Sequence, residues 1–170
     1  MTSSNHKSTE TLAKKVQFAV IGGGVIGGGW VARFLLMGSD VKIFDPDPEA
    51  PRKIDEVLSN ARRSLPALYE HALPPEGSLS FVNSISEAVD GSDWVSECVP
   101  EQLKLKHSVM AEIQSHCPKS AIITSSTSGF KPSELQQGSD NPEQIIVAHP
   151  FNPVYLLPLV ELVGNITTVD

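Results

Sequence analysis

The 170 residues suit one domain with room for a substantial core. Hydrophobic residues make up 40% and charged residues 19%, and a net charge of −7 with scattered Lys and Arg argues against a nucleic-acid surface. No apolar run reaches the roughly 18–20 residues that span a bilayer. The two cysteines, Cys98 and Cys117, are too few for a disulfide framework and lack metal-ligand spacing.

Residues 1–15 are polar and carry neither a secretory signal nor an Arg-rich transit pattern, so they read as a flexible tail and the cytoplasm is the expected compartment. Residues 16–21 form a short apolar run that ends at glycines, the mark of a buried strand. A helix over 24–37, stopped by Gly38-Ser39, and a strand over 41–44 complete a βαβ unit, which implies parallel strands. Helical spacing continues over 49–73, with Pro66 expected to break or kink it. Residues 74–77 make a turn and 79–82 a short strand, and Ser84 with Glu87 resembles a capping box for a helix through Val89. A strand over 94–99, a helix over 103–116, a strand over 121–124, a helical turn at 132–135 and strands over 145–148 and 159–163 follow. The alternation predicts an α/β fold, Rossmann-type and doubly wound, with a mostly parallel sheet over 16–170.

Gly22-Gly23-Gly24-Val25-Ile26-Gly27 fits G-x-G-x-x-G between the first strand and its helix. Gly22 permits the tight turn, Gly24 lets backbone approach a pyrophosphate, and Gly27 lets the helix pack against the strand. The phosphates would sit on the N–H groups where Val25 and Ile26 open the helix. Asp45, about 20 residues beyond Gly24 at the end of the second strand, suits ribose hydroxyls, or else caps its turn with Pro46. No Arg follows it at once, so NAD is expected before NADP.

Three polar clusters should converge at the carboxyl ends of the strands: Val99-Pro100-Glu101, Ser125-Ser126-Thr127-Ser128-Gly129 and His149-Pro150-Phe151-Asn152-Pro153. A dehydrogenase of alcohols needs a base for the hydroxyl proton, and a histidine oriented by a carboxylate is the usual choice. His149 ends one strand and Glu161 lies in the next, so they are either that pair or a structural His beside an edge-strand Glu. Ser128 and Asn152 are substrate contacts or turn residues, and Glu101 is a site residue or only the N-cap of the helix at 103. There is no nucleophile elbow and no convincing metal cluster.

Taken together, the glycine motif, Glu97-Cys98-Val99-Pro100-Glu101 with Lys106, Ser125-Ser126-Thr127-Ser128, and His149-Pro150-Phe151-Asn152-Pro153 with Leu159-Val160-Glu161 resemble the 3-hydroxyacyl-CoA dehydrogenase superfamily over about residues 16–165. The resemblance implies His149 as base with Glu161 as partner, Ser128 and Asn152 on substrate, and Glu101 and Lys106 near the NAD. Ser126 and Pro150 depart from the acyl-CoA pattern, and this points to branches acting on small hydroxy acids, L-carnitine ahead of L-gulonate. A 3-hydroxyacyl-CoA or L-gulonate enzyme and a non-catalytic NAD-binding module are the alternatives. The superfamily also has an all-helical C-terminal domain that closes the substrate cleft and carries a homodimer interface. With the sequence ending at Asp170, the expectation is a cofactor domain alone, inactive without that second part.

Overall fold

The computed structural model describes residues 15–164, so the expected tail, except for Lys15, lies outside the described residues, as do 165–170. The elements are β1 (Gln17–Ile21), α1 (Val25–Leu36), β2 (Asp40–Phe44), α2 (Ala50–Ser64), β3 (Leu79–Phe81), α3 (Ile85–Val89), β4 (Trp94–Glu97), α4 (Leu103–His116), β5 (Ile122–Ser125), α5 (Pro132–Leu135), β6 (Ile145–Pro150) and β7 (Val160–Val163). They build one seven-stranded sheet in the order β3-β2-β1-β4-β5-β6-β7. The first six strands are parallel, and β7 runs antiparallel to β6 at the edge.

Because side chains alternate along a strand, β1 feeds two cores. Ala19 and Ile21 pack with Val95, Ile123 and the α4 residues Met110 and Ile113 on one face. Val20 packs with Val41, Ile43 and the α1–α2 residues Val31, Leu35, Ile54 and Leu58 on the other. Each Val, Leu, Ile or Met among them taken fully out of water contributes about 1.5–3 kcal/mol toward holding helices and sheet together.

The helix ends follow local chemistry. Gly38 takes φ +84°, and its N–H and that of Ser39 bond back to the carbonyls of Leu35 and Phe34, which closes α1. Pro66 has no N–H to continue α2, so the chain passes into a 3-10 turn at Leu65–Leu68, the break expected at that proline. Ser84 caps α3 by accepting from Glu87 N–H, while the Glu87 carboxylate takes the Asn83 N–H, one residue ahead of the cap.

The chain runs outward from β1 to β2 and β3, then returns to β4 on the other side of β1. This reversal leaves a crevice above the carboxyl ends of β1 and β4, where open α/β sheets bind ligands.

Candidate active site

The glycine turn crosses this crevice. Gly22 has φ +98°, and a Cβ there would come within 2.7 Å of the Cys98 carbonyl oxygen. A Cβ on Gly27 would stand 1.8 Å from the Gly22 carbonyl oxygen, so the turn and α1 meet only if both residues lack side chains. Gly24 differs: a Cβ there would meet nothing within 4 Å. Protein packing does not demand that glycine, and the bare backbone leaves room for something outside the chain. Gly24 is also the N-cap of α1 and no side chain caps the helix, so the first-turn amides of Val25, Ile26 and Gly27 offer an anion site.

Beside the turn lies a cavity of about 540 Å³ walled by Gly22, Gly24, Phe44, Asp45, Ile85, Val99, Leu105 and Val109 among others. Asp45 has two tasks here. One carboxylate oxygen accepts from Gly23 N–H at 2.5 Å and the other from Asp47 N–H at 2.7 Å. It therefore clasps the glycine turn and caps its own, and it still faces the cavity.

His149 and Glu161 are register partners across β6 and β7. Imidazole Nδ1 lies 2.9 Å from Glu161 Oε2. A carboxylate only accepts, so Nδ1 donates the hydrogen bond, and in the neutral ring Nε2 is the nitrogen with the lone pair. The pair lines a cavity of about 210 Å³ with Thr127, Ser128, Phe130, Lys131 and Val147. Ser128 also lines a neighbouring cavity of about 180 Å³, whose walls include Ile26, Cys98, Val99, Glu101, Lys106 and Ser126. Asn152 is exposed in the turn after β6 and is not part of these walls.

Lys106 comes from the buried stripe of α4, with Val109, Met110 and Ile113. Its side chain is 1% exposed and its ammonium donates to both oxygens of the fully buried Glu97, at 2.8 and 3.1 Å, and to the Val99 carbonyl. Glu97 also accepts from Val99 N–H and the Ser125 hydroxyl. Glu101 is not the helix cap; that position is Gln102. Its carboxylate instead crosses to the loop after β5 and accepts from the Thr127 hydroxyl and Gly129 N–H. Burial pushes the Glu101 carboxyl up, but those donors and the nearby Lys106 ammonium outweigh it and hold the group below the usual carboxylate value. The Cys98 thiol, 3.3 Å from the Ser126 hydroxyl, is pushed up to about 12 by burial and is no nucleophile at neutral pH.

Thr127 and Lys131 line the His149 cavity and Glu97 stands behind Lys106, and the sequence reading did not single out any of the three. Glu97 and Lys106 had a signal: a lone Lys on an apolar helix stripe requires a buried acid, and Glu97 ends a buried strand. Thr127 and Lys131 had none beyond their loop.

The family model described as 3-hydroxyacyl-CoA dehydrogenase, NAD binding domain, matches residues 17–170. The chain belongs to this family. The L-carnitine dehydrogenase/betainyl-CoA thioesterase of Ruegeria pomeroyi is 67% identical over 145 residues, 85% of this chain and 30% of that protein. The L-carnitine dehydrogenase of Mesorhizobium japonicum is 58% identical over 148 residues, 86% of this chain and 41% of that protein. Among solved structures, the NAD+-dependent 5-formyl-3-hydroxy-2-methylpyridine 4-carboxylic acid 5-dehydrogenase superposes with TM-score 0.83 at 33% identity, over 91% of this chain and 50% of that one. The chain thus spans between 30% and 50% of the length of these relatives. The cofactor of the 3-hydroxyacyl-CoA dehydrogenase NAD-binding domain is NAD, and the residues present fit it. The open space at Gly24 and the uncapped α1 terminus suit its pyrophosphate, and the 540 Å³ cavity at Asp45 adjoins them.

Proposed function

We propose that this chain is the cofactor-binding part of a dehydrogenase that oxidises the 3-hydroxyl of L-carnitine to 3-dehydrocarnitine. The observation that carries the reading is the His149–Glu161 pair, set in a cavity that shares Ser128 with the cavity of about 180 Å³, which in turn shares Cys98 and Val99 with the cavity beside the glycine turn. Bound NAD supplies the hydride acceptor. His149 Nε2 takes the hydroxyl proton as the hydride leaves, and Glu161 holds the ring and stabilises the imidazolium that forms. The Ser128 hydroxyl hydrogen-bonds the reacting oxygen, and Asn152 contacts the substrate once the cleft is closed.

Lys131, a cation lining the His149 cavity, suits the substrate carboxylate. Phe151 presents its ring 6.0 Å from that of His149 and is 38% exposed, which suits a trimethylammonium group that can donate no N–H bond. The names of the two carnitine dehydrogenases quoted above support this substrate. The family resemblance supports a second, helical part that covers the cleft and forms a homodimer interface, and the two free cysteines suit a reducing compartment such as the cytoplasm. The test is NADH formation by the complete polypeptide with L-carnitine, L-gulonate and a 3-hydroxyacyl-CoA in parallel. Turnover of carnitine well above the other two is expected; preference for either of the others replaces the substrate assignment.

A further inference from the structure

The cavity of about 180 Å³ between the glycine turn and the His149 cavity has an unbalanced wall. Three ionised side chains stand at it or directly behind it: Glu97, Lys106 and Glu101. Lys106 Nζ is 2.8 Å from Glu97 but 3.4 Å from Glu101, so its charge is matched first by Glu97, with both of those side chains buried. Glu101 is left as the surplus negative charge, 43% exposed on the cavity side. The other wall residues, Ile26, Cys98, Val99, Ser126 and Ser128, carry no charge at neutral pH.

This middle cavity shares Cys98 and Val99 with the cavity at Asp45, and Ser128 with the cavity at His149. A dinucleotide laid from Asp45 across the glycine turn would bring its nicotinamide end here. The oxidised nicotinamide ring is a cation and the reduced ring is neutral. We propose that Glu101 selects the redox state of the cofactor, its surplus carboxylate favouring the oxidised ring over the reduced one. The Thr127 hydroxyl and Gly129 N–H fix where that charge sits. Because Glu101 is partly exposed, solvent screens the attraction, and an effect of about tenfold in affinity is expected. The inference rests on the NAD site of the proposed function and not on its substrate, so a failure to oxidise carnitine leaves it standing.

The experiment is calorimetric titration of the purified protein and its Glu101→Gln variant with NAD+ and with NADH. A glutamine carbonyl still accepts from Thr127 and Gly129, so the variant removes the charge and keeps the contacts. The expected result is an NAD+ dissociation constant raised about tenfold, with NADH changed by less than about threefold. Equal weakening of both forms makes Glu101 a structural contact and overturns the proposal, as does no change in either. Thr127→Val, which disturbs the same contact without removing the charge, should keep the parent's NAD+ to NADH ratio. A ratio that falls as far as in Glu101→Gln also overturns it.

Discussion

His149 and Glu161 face each other across the antiparallel pair β6–β7, and the edge strand serves to bring a carboxylate to the imidazole Nδ1 at 2.9 Å. Residue spacing alone does not create this contact; the reversal of direction at the end of a parallel sheet does.

The pair should act as a unit. His149→Ala should lower turnover about 10²–10⁴-fold, the usual scale for losing a general base, while NAD affinity barely changes. Glu161→Gln should cost less, because the ring remains and the amide oxygen can still accept from Nδ1, while the charge that stabilises the imidazolium is lost. In the double variant the loss should fall short of the sum of the two on a free-energy scale. Full additivity in steady-state kinetics counts against a working pair.

Asp45 should govern the choice of NAD over NADP, but through two separable effects. Its charge would repel a 2′-phosphate, and its oxygen also holds Gly23 N–H at 2.5 Å. Asp45→Asn keeps an acceptor for that N–H and removes the charge, so discrimination against NADP should shrink with modest loss of NAD affinity. Asp45→Ser should shrink discrimination and weaken NAD further, since the clasp on the turn is lost too. If titrations show unchanged selectivity in both variants, Asp45 is only a turn clasp.

The Lys106–Glu97 pair should reveal itself in stability. Lys106→Met strands the Glu97 carboxylate in a site where it is 0% exposed, and removing one partner of a buried pair costs about 3–5 kcal/mol. The double variant Glu97→Gln/Lys106→Met should recover much of that loss, because no buried charge is then left unpaired and Glu101 is 43% exposed to solvent. Urea unfolding monitored by circular dichroism measures both. A single-variant loss under about 1 kcal/mol would mean that water reaches Glu97.

Much of this site was legible in the sequence because it hangs on short local patterns. A glycine turn after an apolar run, and an acid at the next strand end, are fixed by neighbours close in the chain. The His149–Glu161 contact was legible as a possibility, yet only the antiparallel register makes it a bond. Glu101 shows where local reading stops: its neighbours leave a site role and a helix cap both open, and its partners Thr127 and Gly129, more than a strand away, leave the cap to Gln102. The break expected at Pro66 is there: α2 ends at Ser64, and the apolar spacing that runs on to residue 73 does not extend the helix. Long-range contacts of this kind leave no periodic trace in a single chain.

The last expectation concerns the charged head of the proposed substrate. Two aromatic residues follow His149, and the structure separates them. Phe151 is exposed and its ring stands 6.0 Å from His149. Tyr155 is half-buried against the α1–α2 core, and its carbonyl accepts from Arg33. Phe151→Leu should therefore raise the carnitine KM several-fold to about thirtyfold, the range for losing a cation–π contact worth about 0.5–2 kcal/mol. It should also narrow the preference for carnitine over an uncharged 3-hydroxy acid, with little effect on NAD. Tyr155→Leu should lower thermal stability and leave that preference intact. Steady-state kinetics on both variants with both substrates decides the matter. An unchanged preference in Phe151→Leu moves the ammonium site elsewhere, and a changed one in Tyr155→Leu shows that the core side of the turn reaches the substrate.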